Sequence, residues 1–233
     1  MSDQFSRTEL LLGKEKMLRL FRSRVAVFGV GGVGGYVVEG LARAGVGAID
    51  VLDNDVFSPS NLNRQILATT ATIGRKKTEV AIERIKSINP DCHSGAYDMF
   101  YLQDTAHDVD LTRYDYVVDA IDTVSAKLTL IERANEVGTK VISCMGTGNK
   151  LGTCFEVSDV YKTSVCPLAK VMRKELKARG INRLKVVYSK EEPIIPKDTP
   201  TENGRHIPGS ISFAPAIAGM MLASEVIKDL IAE

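Results

Sequence analysis

The chain has 233 residues, 44% of them hydrophobic, which is enough for a substantial core and short enough to limit it to one or two domains. Lys and Arg number 30 against 29 Asp and Glu, so a globally basic nucleic-acid binder is excluded and any polyanion contact must come from a local patch. Cys92, Cys144, Cys154 and Cys166 form no C-x-x-C pair, which argues against a zinc site and a secreted disulfide framework. No apolar run approaches the ~18 residues of a membrane span, and the polar N-terminus carries no signal-peptide pattern. The expectation is a reduced, cytoplasmic, globular protein, with any membrane association left to a tail beyond Glu233.

Ser6 and Glu9 have capping-box spacing, which predicts a helix from about Arg7 with Leu10, Leu11, Met17, Leu18 and Phe21 on one face. Arg7 reads from the sequence as a solvated side chain. The apolar run Val25 to Val30 then ends in Gly29, Gly31, Gly32, Gly34 and Gly35. A helical segment, Tyr36 to Ala44, and a second apolar run, Ala48 to Leu52, follow and end at Asp53. Strand, glycine turn, helix and strand with a terminal acid is the order of a nucleotide site. Glycines let the backbone approach phosphate, and the acid can bond ribose hydroxyls.

Beyond Asp53-Asn54-Asp55 lies the polar stretch Ser60-Asn61-Leu62-Asn63-Arg64-Gln65. It follows the carboxyl end of a strand, where doubly wound sheets bind ligands, and Arg64 could fork onto phosphate. A helix is predicted over 76–88. Lys77 at its start is unfavourable against the helix dipole unless an anion lies nearby. Asp91 to Tyr101 can supply a third strand and Asp115 to Ala120 a fourth, with Asp122 at its tip. Asp122 could ligate magnesium or, like Thr123, cap the helix Val124 to Val137. A fifth strand runs from Lys140 to Met145. The alternation predicts a Rossmann-like, doubly wound, mostly parallel α/β sheet with a helix at each crossover.

Composition shifts after Gly148. A strand over 153–161, a helix over 167–179, a strand over 185–189 and a final helix over 215–231 predict an α/β extension that continues the sheet. The chain is thus expected to be one domain, 1–233, with a nucleotide-binding half (1–150) and a second half (151–233) that extends it. Lys170, Arg173, Lys174, Lys177 and Arg179 cluster on the 167–179 helix, with Arg183 and Lys185 beyond and only Glu175 opposing them. This is a nucleic-acid patch or a solvated face. Glu191 to Gly209, with four prolines and Asn203-Gly204, predicts a long irregular loop. The small residues Ala216, Ala218, Gly219 and Ala223 predict close packing of the last helix.

Two chemistries compete on these residues. The glycine turn and Asp53 allow a NAD-dependent oxidoreductase, but His93, His107 and His206 offer no proton donor at a strand tip. Nucleotidyl transfer uses more of the set: Arg64 and Lys77 for phosphates, and Asp122 for a metal.

The motifs Gly29-Val30-Gly31-Gly32-Val33-Gly34, Asp53-x-Asp55, Ser60 to Gln65, Gly74-x-x-Lys77 and Asp119-Ala120-Ile121-Asp122 resemble those of the ubiquitin-activating-enzyme-like adenylyltransferases, which include thiamine- and molybdopterin-pathway enzymes. The resemblance covers about 6–148 and the final helix. It implies ATP-dependent carboxylate adenylation in a homodimer. Gly29, Gly31, Gly32, Gly34, Asp53, Asp55, Asn61, Arg64, Gln65 and Lys77 would hold ATP and Asp122 Mg2+. Arg7 would enter the partner's site and join Arg64, Lys77 and Asp122 in catalysis. Members that load sulfur-carrier or ubiquitin-like proteins commonly bind zinc through two C-x-x-C pairs, which this chain lacks, so no zinc is expected. Ser143 to Leu151, Thr163 to Ala169 and Tyr188 to Pro193 are instead similar to the branch that dehydrates threonylcarbamoyladenosine in tRNA, with Leu151-Gly152-Thr153 where that branch has Leu-Asp-Pro-Thr. That branch implies tRNA as substrate, contacted by the basic helix, and leaves room for a sulfur-transfer protein as a further partner. Activation of a carrier protein is the alternative.

Overall fold

The computed structural model describes residues 3–196, 201–202 and 205–232. Seven strands form its main sheet: β1 (Arg24–Phe28), β2 (Ala48–Asp53), β3 (His93–Asp98), β4 (Tyr116–Asp119), β5 (Lys140–Cys144), β6 (Phe155–Asp159) and β7 (Lys185–Ser189). Their order is β3-β2-β1-β4-β5-β7-β6. All neighbours are parallel except β6, which lies antiparallel on β7 at the edge. The expected mostly parallel sheet with a C-terminal extension is therefore present. The near-continuous apolar runs of β1 and β4 explain their central places, because such strands are buried on both faces.

The helices are α1 (Ser6–Leu12), α2 (Lys14–Arg22), α3 (Gly34–Ala44), α4 (Lys77–Ile88), α5 (Val124–Val137), α6 (Pro167–Ala178) and α7 (Ala214–Ala232). Ala218, Gly219 and Ala223 of α7 are buried, and α7 packs closely on α3. The small residues give the close approach their spacing predicts. One apolar cluster runs from Phe5 through Val25 and Val187 to Leu230, joining both halves of the sequence.

Two expectations fail. The single N-terminal helix is two, because the chain turns at Gly13 with φ of 81°. Ser6 lies inside α1, and no side chain caps it. Met17 and Leu20 of α2 are buried, whereas Leu10 and Leu11 are 89% and 83% exposed. The second failure is the helix expected between β3 and β4. Two short 3-10 turns, Ala106–Asp108 and Leu111–Arg113, make that crossover. Asp110 accepts from Thr112 N at 3.0 Å, a local turn bond that competes with helix. In the 191–209 loop, Pro200 and Asn203-Gly204 lie outside the described residues.

Candidate active site

A cavity of about 780 Å3 runs along the carboxyl ends of the strands. Its walls follow the sheet order. Met99 to Tyr101 stand beyond β3, Asp53 to Asp55 beyond β2, and Gly29, Gly31 and Gly32 beyond β1. Ala120 to Thr123 stand beyond β4, Cys144 to Lys150 from β5 onward, and Pro193 beyond β7. Strand order reverses between β1 and β4, the switch point where doubly wound sheets open a crevice. Pro215 of α7 closes the cavity against the glycine turn.

Two glycines make this turn possible. Gly29 has φ of 84°, and a Cβ there would lie 2.7 Å from the Ala120 carbonyl oxygen. A Cβ on Gly34 would stand 1.7 Å from the Gly29 oxygen. Gly34 is buried and outside the cavity lining. Its part in the fold is to seat α3 on the turn. No side chain caps α3, which leaves N–H groups for an anion.

The polar residues are already held in place. Asp53 accepts from Val30 N at 2.7 Å and from Asp55 N at 2.9 Å, which keeps a second lone pair on each oxygen for hydroxyls. Asn61 uses its oxygen on Ser58 N at 3.1 Å. Arg64 donates to the Ser60 carbonyl at 2.8 Å and to Asn63 Oδ1 at 2.9 Å. Gln65 is buried, lines the cavity, and its Oε1 has no partner among the described residues. Lys77 is 6% exposed, and its Nζ pairs with Asp55 at 2.7 Å. That carboxylate answers the dipole problem of a cation opening α4. Asp122 is exposed and lines the cavity. Neither it nor Thr123 caps α5 through its side chain.

Behind Asp122 lies a network that the motifs do not reveal. Asp119 and Lys127 are both fully buried and pair at 2.9 Å. Ser143 Oγ donates to Asp119 Oδ2 at 2.5 Å. Asp119 also accepts from Ile121 N at 3.1 Å, while Lys127 donates to the Ile121 carbonyl at 2.9 Å. The ion pair thus grips both sides of the residue preceding Asp122. A charge inside the apolar run of β4 was the signal, since a buried carboxylate requires a partner.

The β5 end carries a second clamp. Glu191 accepts from Leu151 N and Gly152 N, each at 2.8 Å. These N–H groups, Leu151 first, hold its carboxyl below the usual glutamate range. A Cβ at position 152 would lie 2.6 Å from Glu191 Oε2. Gly152, where an aspartate was expected, is the residue that gives this carboxylate room. Lys150 is 3% exposed and donates to the Glu191 carbonyl. Burial pushes the cavity-lining Cys144 thiol up to about 12, so it is no nucleophile near neutrality.

The basic cluster is smaller than its sequence suggests. Arg173 donates to Thr163, Arg179 pairs with Glu132 at 3.0 Å and Glu175 at 2.7 Å, and Lys185 pairs with Asp229 at 2.7 Å. Lys170, Lys174 and Lys177 are exposed and have no ion pair among the described residues. Arg7, on α1, is exposed and does not line the cavity. Among the described residues, no group of three or more His, Cys, Asp or Glu could hold a metal ion, and no helix is long and apolar enough to cross a membrane.

The chain is similar over most of its length to named proteins. The tRNA threonylcarbamoyladenosine dehydratase of Bacillus subtilis is 40% identical over 99% of this chain and 96% of its own. The Escherichia coli enzyme of that name is 36% identical over 85% of this chain and 77% of its own. The structure of the E. coli enzyme with AMP superposes with a TM-score of 0.90 at 31% identity, covering 99% of this chain and 96% of that one. Its complex with ATP gives 0.88. E. coli MccB with ATP, at 20% identity and a TM-score of 0.71, shares the fold over 64% of its own chain. The ThiF family model matches residues 5–233. With the switch-point cavity, the glycine turn and this full-length match, the chain belongs to the ThiF family.

Proposed function

We propose that this chain is an ATP-dependent tRNA threonylcarbamoyladenosine dehydratase. The observation that carries the reading is one cavity spanning the sheet's carboxyl edge. A nucleotide cradle, Asp53 with Arg64 and Lys77, stands at one end, and space for a second reactant lies beyond β5. A relative matched over nearly the full length of both chains bears that enzyme's name, as does one matched over 85% of this chain.

The reaction joins the two ends. One oxygen of the threonyl carboxylate attacks the α-phosphorus of ATP, the bond to the bridging oxygen breaks, and pyrophosphate leaves. The neighbouring urea group then attacks the acyl carbon, loses a proton, and expels AMP as the ring closes. The nucleophile is part of the substrate, so proximity replaces an enzyme nucleophile. Asp53 holds the ribose, and the N–H groups of the glycine turn meet phosphate. Arg64, Lys77, Asn61 and Gln65 neutralise and orient the triphosphate, with Asp55 releasing Lys77 to it.

Magnesium suits the donor set, because Mg2+ takes one or two protein carboxylates and completes its shell with waters and phosphate oxygens. Asp122 is such a carboxylate, uncommitted to a cation or a cap. When bound, the ion supplies charge neutralisation to the departing pyrophosphate. No histidine lines the cavity among the described residues, and a hydride-transfer reading leaves Arg64, Lys77 and Asp122 without a shared task.

The whole chain acts as one adenylating domain whose second half binds substrate. Its assembly is a homodimer in the cytoplasm, with Arg7 completing the partner's ATP site. Arg7→Ala and Lys77→Ala chains, each inactive alone, are expected to regain part of the wild-type activity when mixed. Verified mixed dimers without activity would remove Arg7 from the partner's site. Lys170, Lys174 and Lys177 contact the tRNA backbone. Lys170→Glu with Lys174→Glu should weaken tRNA binding and reduce the slope of log affinity against log salt by about one per lysine. Unchanged binding would make α6 a solvated face.

The central test is incubation with ATP, magnesium and bulk tRNA, followed by nucleoside mass analysis. The expected result is a mass lower by one water on threonylcarbamoyladenosine. An adenylated or thiocarboxylated carrier protein, with the tRNA mass unchanged, would refute it.

A further inference from the structure

Three cations line the cavity among its described residues: Arg64, Lys77 and Lys150. The first two stand on the β2 side, by the ribose acid and the glycine turn. Lys77 has a counter-charge in Asp55. Lys150 lies beyond β5, at the other end, and is 3% exposed. Its ammonium donates to a neutral acceptor, the Glu191 carbonyl, and no carboxylate of the described residues pairs with it.

Glu191 carries an acid as well, whose charge Lys150 helps to stabilise. That carboxylate is turned to the backbone, both oxygens engaged by Leu151 N and Gly152 N at 2.8 Å. An ammonium has three donors, and one is accounted for. The cavity wall from β5 onward is otherwise uncharged: Met145 to Asn149, Cys166 to Leu168 and Pro193. A buried cation without an ion pair is costly, and an anion entering such a site relieves that cost.

We propose that Lys150 binds the carboxylate of the carbamoylated amino acid on the substrate, a subsite distinct from the phosphate cations. The inference rests on the dehydratase reading and names the group that receives its acyl acceptor. Lys150 donates to one carboxylate oxygen and leaves the other free to attack the α-phosphorus. Once the acyl-adenylate has formed, the same N–H faces the acyl oxygen, where negative charge develops as the urea closes the ring. The clamp from Glu191 keeps the 149–152 backbone, and so Lys150, in place.

The test compares two ligands in the full-length chain: an anticodon hairpin carrying threonylcarbamoyladenosine, and the same hairpin with the carboxylate converted to carboxamide. The wild type is expected to prefer the carboxylate by roughly 10- to 100-fold, the range for a charge-assisted hydrogen bond. Lys150→Met should bind both equally, keep its AMP affinity within about twofold, and both raise KM for tRNA and lower kcat, since one cation holds the ground-state carboxylate and later faces the developing charge. Lys150→Arg should retain most of the preference, and Lys150→Gln serves where the methionine variant does not fold. A preference that survives loss of the cation, a wild type with no preference, or AMP affinity falling in parallel would each overturn the assignment. A wild type that forms no dehydrated nucleoside would instead fail the functional reading itself.

Discussion

Replacing Lys127 with methionine is expected to lower the unfolding free energy by about 3–5 kcal/mol, the cost of leaving one partner of a buried pair uncompensated. Asp119 would remain fully buried, with only the Ser143 hydroxyl and the Ile121 N–H to meet its charge. Asp119→Asn combined with Lys127→Met should recover much of the loss, because no net charge then stays in the core. Urea unfolding of the two singles and the double measures this directly. A single variant within about 1 kcal/mol of wild type would mean the pair is not buried as described. The double variant should still turn over slowly, since the Ile121 carbonyl loses the donor that fixes the approach to Asp122.

Asp122→Ala should do the reverse, sparing stability and removing chemistry. Its side chain is exposed and caps nothing, so unfolding should shift by no more than about 0.5 kcal/mol. Pyrophosphate release is expected to fall by about 10²–10³-fold, the scale for losing one group that stabilises developing charge. The loss should appear in kcat and kcat/KM alike, as for an interaction made in the transition state. Near-normal release at saturating magnesium would take the metal role from Asp122.

Much of the fold was legible because local signals agreed. The apolar runs marked β1, β2, β4 and β5, and Gly138 ended α5 in a left-handed turn. That the glycine turn, Asp53, Arg64 and Lys77 would gather at one crevice was legible too, since they sit at fixed offsets from strand ends, and they line one cavity. What escaped depends on contacts distant in sequence. Lys127 reads as one more basic residue on a helix until β4 and β5 surround it. Arg173 and Arg179 look free until Thr163, Glu132 and Glu175 engage them. Glu191 reaches back to Leu151 and Gly152 across two strands and a helix. The split at Gly13 was overlooked because an apolar stripe suggests one continuous helix and does not register a single positive φ.

Helix α1 is fastened at both ends. Phe5, just before it, is buried with its ring 5.4 Å from that of Phe21, and Leu12 packs on the core. Between these anchors Leu10 and Leu11 face solvent, beside Arg7. Ordering a free backbone residue costs about 1–2 kcal/mol, and here the fold of the single chain has already met that cost for every residue of α1. A surface that docks onto this arm therefore loses little conformational entropy on meeting it. Its affinity is set by the apolar area covered, with no tail to be straightened first.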